Sequence, residues 1–259
     1  MKPLSPNDIA GGEIKQGHSG LGWQVDQKYG GRAEERPLAR YVGGVVRNAL
    51  ALRAVIFDYG LVLTGPQEPG ALAALRGITG LDEEHFDQLY WADRHAYDEG
   101  KLTGVLFWEK LISNAGLELG PGAVAELIDW DARMWMTENA GMLGWQERLT
   151  AAGLKTAILS NMGDEVLVRL EREVGWIKKF NPRVWSSQLL VAKPNPRIYA
   201  HTLTLLGIEP AEALFLDDRL VNVESARALG MQGLVFSTVE RLRVDLVAAG
   251  LDGELPLPV

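Results

Sequence analysis

Residues 54–60 read Ala54-Val55-Ile56-Phe57-Asp58-Tyr59-Gly60. Four apolar residues, two of them β-branched, stop at a carboxylate, and a glycine follows two positions later. A run this short and this apolar, closed by a turn signal, predicts a strand buried on both faces. Asp58 is then carried to the C-terminal end of that strand.

The same form recurs along the chain. Leu154–Leu159 ends in Ser160-Asn161, and Ala213–Leu216 ends in Asp217-Asp218. Val184-Trp185-Ser186-Ser187 and Gly233–Phe236 supply two further expected strands. Helical patterns separate them. Glu165–Val174 places Val166, Leu167, Leu170 and Val174 on one face. Pro196–Leu206 opens with a first-turn proline and stops before Gly207, and Val221–Leu229 stops at Gly230. Strands alternating with helices predict an α/β fold, a parallel sheet with helices on both faces.

Residues 66–144 break the alternation. Apolar spacing predicts helices over Ala71–Arg76, Glu83–Tyr97, Thr103–Ala115 and Gly122–Met136, with Asp98 and Gly100 marking a helix end. The insert falls between the first and second strands, so it should rise over their C-terminal ends as a small helical cap, at the edge where open sheets bind ligands. Substrate choice is expected to lie there. Its aromatic residues, Phe86, Tyr90, Trp91, Tyr97, Phe107, Trp108, Trp130 and Trp135, read as the packing of the cap itself rather than a ligand slot. Arg94 and His95 read as a solvated helix face, with a direct approach to an anionic substrate as the alternative. Arg133 is assigned no role beyond stacking or pairing with Asp129 or Asp131. The expected layout is an N-terminal extension over residues 1–52, a core over 53–65 and 145–259, and a cap over 66–144. The glycine-rich extension reads as loosely ordered with a short helix near Ala39–Leu50, and a docking arm is its alternative.

Composition narrows the chemistry. The chain has 259 residues, no cysteine, 26 Lys+Arg against 34 Asp+Glu, and a net charge of −8. Without cysteine there is no disulfide framework, zinc-thiolate site, iron–sulfur cluster or cysteine nucleophile. The acidic balance argues against nucleic-acid binding, which needs a basic stripe. No stretch reaches ~18–20 uninterrupted apolar residues, and the first residues hold no apolar signal core, so neither a membrane span nor a leader is expected. The expectation is a cytoplasmic protein. The four histidines, His18, His85, His95 and His201, lack metal-ligand spacing.

Four segments therefore converge on one sheet edge: Asp58-Tyr59-Gly60, Ser160-Asn161, Lys193-Pro194 and Asp217-Asp218. Each alone is common. An aspartate ends many strands, a lysine before proline is usually a solvated loop residue, and paired aspartates cap helices. Their combination is coherent chemistry. A carboxylate can act as a nucleophile. Three crowded carboxylates need a cation, and an all-oxygen set suits Mg²⁺. A hydroxyl and an ammonium alongside can hold phosphoryl oxygens.

The pieces AVIFDYGLVLT, LSN, KPNPRIY and FLDDRLVNVESARALG resemble the haloacid dehalogenase superfamily of hydrolases, from Ala54 toward the C-terminus. The likeness is greatest to the branch of sugar-phosphate phosphatases and the phosphatase domain of soluble epoxide hydrolase. The resemblance implies a Rossmann-like core with a helical cap, and Mg²⁺-dependent hydrolysis through an aspartyl-phosphate. It implies Asp58 as nucleophile and Ser160 with the Asn161 backbone N–H as phosphate binders. Lys193 becomes the neutralising cation, and Asp58, the Gly60 carbonyl, Asp218 and Asp217 the metal ligands. Asn222 takes a place where many members carry an acid.

One departure stands out. The family's first motif is Asp-x-Asp, whose second aspartate protonates the leaving oxygen and then activates water; here that place is Gly60. Such help is typically worth about 10²–10⁴-fold. Three readings follow. The first is a phosphatase acting on a small phosphorylated substrate with a substituted acid, or on good leaving groups. The second is a dehalogenase with Asp58 attacking carbon. The third is a catalytically weak binding or regulatory protein of the same fold.

Overall fold

The structure, a computed structural model, describes residues 51–259. The expected extension over residues 1–52, with its short helix or docking arm, lies outside the described residues except for Ala51 and Leu52. Among the described residues five strands form one parallel sheet: β1 (Ala54–Phe57), β2 (Lys155–Ser160), β3 (Arg183–Trp185), β4 (Ala213–Asp217) and β5 (Gln232–Val235). Their order across the sheet is β3-β2-β1-β4-β5.

Side-chain alternation divides the core in two. Val55 and Phe57 of β1 pack on one face with Ile158, Leu214 and Leu216. Ala54 and Ile56 pack on the other with Ala157, Leu159 and Phe215. Both faces are covered, which is why the central strands are apolar throughout rather than alternating.

The helices are α1 (Pro69–Thr79), α2 (Glu83–Ala92), α3 (Arg94–Asp98), α4 (Gly104–Asn114), α5 (Ala123–Met134) and α6 (Ala140–Ala151), all between β1 and β2. Then come α7 (Asp164–Glu173), α8 (Ser186–Leu189), α9 (Pro196–Leu206), α10 (Leu220–Ala228) and α11 (Val239–Ala248). Among the described residues no helix is long and apolar enough to cross a membrane.

Two of the expected elements differ, and α6 and α11 have no counterpart in the sequence reading. The helix read over Glu83–Tyr97 breaks at Asp93, whose φ of −112° and ψ of 2° leave the helical region. Ser186 and Ser187 leave the expected third strand and open α8. Ser186 Oγ there donates to the Asp98 carbonyl at the end of α3 and accepts from Met162 N–H at 2.9 Å in the loop after β2, rather than extending the sheet.

The register positions the site. Phe57 lies level with Ile158 of β2 and Leu216 of β4, and Asp58 N–H donates to the Leu216 carbonyl at 2.8 Å. Asp58, Ser160 and Asp217 therefore leave the sheet at one edge, beside β1, where the chain order reverses and crevices form.

Candidate active site

Asp58 ends β1 just before a wide turn, Tyr59–Leu63, closed by Thr64 N–H on the Tyr59 carbonyl at 3.0 Å. Asp58 Oδ1 accepts from Tyr59 N–H at 2.6 Å and from Lys193 Nζ at 2.8 Å. Within that turn Leu61 has a φ of 60°, a left-handed conformation uncommon for a branched residue. It exposes the Leu61 side chain at the rim of a cavity.

Lys193 is buried, and its ammonium bridges two carboxylates, Asp58 Oδ1 at 2.8 Å and Asp217 Oδ2 at 2.6 Å. Asp217 is held in turn by Asn222 Nδ2, at 2.9 and 3.1 Å from its two oxygens, and by Arg219 N–H at 2.8 Å. The loop that carries Lys193 is clamped by one side chain. Asn161 Nδ2 donates to the Lys193 carbonyl at 3.0 Å, and Lys193 N–H donates to Asn161 Oδ1 at 2.8 Å.

Burial dominates the electrostatics. It pushes the Asp58 carboxyl up to about 7; Lys193 opposes the shift, and Asp217 and Asp218 add to it. Burial would pull the Lys193 ammonium down, but Asp58 and Asp217 together hold it above its ordinary value. Burial, then the neighbouring Asp217 charge, raises Asp218.

Asp58, Asp217 and Asp218 each offer a carboxylate oxygen, and these lie within 4.8 Å of one another. Asn222 Oδ1 is a buried acceptor with no protein partner, on the same cavity wall. Hard oxygens, excess negative charge and an unsatisfied acceptor together fit a hard divalent cation.

The cavity above has a volume of about 150 Å³. Asp58, Gly60, Ser160, Asn161, Lys193, Asp218 and Asn222 all line it, while Asp217 lies directly behind, fully buried. Ser160 ends β2, and its hydroxyl makes one long contact, 3.4 Å to the Asn161 carbonyl.

The inserted helices contribute residues that sequence reasoning assigned elsewhere. Trp91, Trp135 and Arg94 line the cavity, with Met162 and Leu61. Arg94 is not on a solvated face: it is buried, bonded to Asp98 at 2.9 Å, to Asp131 at 3.0 Å and to the Tyr90 hydroxyl. A lone arginine on an amphipathic helix gives no sign of partners 37 residues away. His95 does stand on the solvated face, 3.7 Å from Glu99. Phe86, Tyr90, Tyr97, Phe107 and Trp108 form the expected internal packing, whereas Trp91 is 52 % exposed. Arg133 stacks over Trp130 and pairs with Asp129 at 2.9 Å, leaving Asp131 to Arg94.

Gly60 has ordinary extended dihedrals, φ −64° and ψ 134°, open to any residue. A Cβ placed there would meet the Trp135 indole at 3.5 Å. An aromatic ring thus borders the position of the missing carboxylate.

Comparison with known proteins agrees with this architecture. Residues 52–230 match the family model described as haloacid dehalogenase-like hydrolase. Phosphatase MT3486 of Mycobacterium tuberculosis is 30 % identical over 217 residues, spanning 80 % of this chain and 100 % of that protein. Bifunctional epoxide hydrolase 2 of Rattus norvegicus is 33 % identical over 233 residues, 81 % of this chain but 41 % of that protein. A HAD family enzyme of Bacteroides thetaiotaomicron, solved with magnesium and inorganic phosphate, superposes with a TM-score of 0.59 at 18 % identity. That match covers 72 % of this chain and 94 % of the other, and it is a likeness of fold.

Proposed function

The chain belongs to the haloacid dehalogenase-like hydrolases, and from that membership we propose a Mg²⁺-dependent phosphatase that hydrolyses a small phosphorylated metabolite through an aspartyl-phosphate on Asp58. The observation that carries this reading is the meeting of Asp58, Asp217 and Asp218 beside the buried Lys193 ammonium. A hydrolase that displaces halide from carbon has no use for three converging carboxylates, so the cluster favours phosphorus over carbon as the electrophile.

Asp58 Oδ1 is engaged by Tyr59 N–H and Lys193, and Oδ2 has no protein partner among the described residues. In our reading one oxygen is thereby held while the other attacks phosphorus in line. The bond to the leaving oxygen breaks, and its electron pair departs with that oxygen. Lys193 and the Ser160 hydroxyl, with the Asn161 backbone N–H, hold the non-bridging oxygens. Asp58, Asp218 and the Gly60 carbonyl, with Asp217 behind them, would hold Mg²⁺, which would supply charge neutralisation and orientation. Water then bonds phosphorus as the Asp58–phosphorus bond breaks, the carboxylate is regenerated, and the water's protons leave with the phosphate. We place the helices over 66–144 as a cap on this site, set on a core of 53–65 and 145–259.

Mg²⁺-dependent phosphate release from p-nitrophenyl phosphate or acetyl phosphate, abolished in Asp58→Asn, is the expected result. Unchanged turnover in Asp58→Asn would overturn covalent catalysis. Metal-independent halide release from a 2-haloacid would replace the phosphatase with a dehalogenase. Neither activity, together with a stable partner in a pull-down, would leave a binding module.

A further inference from the structure

We infer that the leaving group of this enzyme is flat and apolar and departs as a stabilised anion, as in an aryl phosphate, rather than as the alkoxide of a polyhydroxylated sugar; the inference rests on the phosphatase reading of the same site.

Two independent features of the cavity lead there. The first is the absence of an acid. Among the described residues lining the cavity, the ionisable side chains are Asp58, Tyr59, Arg94, Lys193, Asp218 and Arg219. Asp58 and Asp218 belong to the carboxylate cluster, and Lys193 is bound between Asp58 and Asp217. The Tyr59 hydroxyl donates to the Trp135 carbonyl at 3.0 Å. Arg94 is spent on Asp98 and Asp131. Arg219 is exposed, and a guanidinium is a poor acid. Gly60 offers nothing. The electron pair released as the phosphorus–oxygen bond breaks must therefore rest on the departing oxygen unaided. An aryl oxygen delocalises that charge, whereas an alkoxide does not.

The second is the apolar share of the same cavity. Trp91, Trp135, Leu61 and Met162 line it, and the Trp135 ring reaches to 3.5 Å of where a residue-60 side chain would begin. Sugar hydroxyls would meet few polar partners here, and lost hydrogen bonds to water would go uncompensated. A flat ring would meet two indoles. Trp91 packs T-shaped on Tyr90 with ring centroids 5.0 Å apart, although it is half exposed.

The test is a leaving-group series on the Mg²⁺-loaded wild-type protein, paired with binding of two inert phosphonates. kcat/KM is expected to fall about 10²-fold or more between p-nitrophenyl phosphate and glycerol phosphate. Phenylphosphonate should inhibit more tightly than methylphosphonate, and that preference should shrink about fivefold in Trp91→Ala and in Trp135→Ala. Trp91 is exposed, so its variant keeps the test open if the Trp135 variant fails to fold. Glycerol phosphate turning over as fast as the aryl ester, or equal inhibition by the two phosphonates, would overturn the inference alone. No turnover of any ester, acetyl phosphate included, would remove the phosphatase reading and this inference with it.

Discussion

Lys193 Nζ lies 2.6 Å from Asp217 Oδ2, and both groups are sealed from solvent. A buried ammonium costs several kcal/mol of desolvation, and the cost is met here by two carboxylates rather than one. Removing the cation leaves Asp58 and Asp217 facing each other without compensation. Lys193→Met should lose about 3–5 kcal/mol of stability in EDTA, measured by denaturant unfolding, and most of its turnover. Added Mg²⁺ should raise the melting temperature of the variant more than that of the wild type, because the ion replaces the lost charge. An equal rise in both would mean that Lys193 and the ion do not share these carboxylates.

The Asp58 carboxyl, pushed up to about 7 by burial, makes metal binding pH-dependent. A raised carboxyl keeps its proton below about 7 in the metal-free protein, and a divalent ion needs the carboxylate. Mg²⁺ affinity should therefore fall about tenfold per pH unit below that value, with one proton released on binding at pH 6. The same shift makes ionisation of Asp58 unfavourable in the metal-free fold. This group's contribution to stability therefore falls as pH rises from the ordinary carboxyl range through about 7. Titration calorimetry in two buffers of different ionisation enthalpy counts the proton; pH-independent affinity between 6 and 8 would contradict the argument.

Gly60→Asp should fit. The backbone there is extended, and the new Cβ meets only the Trp135 ring at ordinary contact distance. The added carboxyl restores a group able to protonate a departing oxygen. Turnover of glycerol phosphate should rise about tenfold or more, with little gain in the p-nitrophenyl ester's bond-breaking step. Equal gains for both esters would show that leaving-group protonation is not what the wild type lacks.

Arg94 holds the inserted helices together through Asp98 and Asp131, and burial raises Asp98, with Arg94 opposing the shift. Arg94→Met should cost about 3–5 kcal/mol, and adding Asp131→Asn should recover part of it. Denaturant curves for the two singles and the double close the cycle. Strict additivity would mean that the pair is not coupled.

Much of this was legible beforehand because it rests on short-range rules. Ala54–Phe57 is an apolar run followed by Asp58, Lys155–Ser160 and Ala213–Asp217 end in polar residues, and parallel strands buried on both faces are apolar in this way wherever they occur. The convergence of Asp58, Ser160 and Asp218 followed from the alternation of strands and helices, since parallel strands end at one edge, whereas Lys193 lies beyond β3 and α8 in a loop that Asn161 clamps. The turn at Ser186 was missed because its partners, Met162 and Asp98, are distant in sequence.

Strand and helix identities, the place of Asp58 at the end of β1 and the glycine at position 60 thus belong to the linear chain, since local periodicity and residue type dictate them. Which side chains face one another across the cavity belongs to the folded molecule. Asn161 clamps the Lys193 loop, Asp217 holds the ammonium from behind, Arg94 is buried, and Trp135 borders Gly60. Each is a contact between elements many residues apart, set by how helices and strands pack, and no spacing along the chain encodes it.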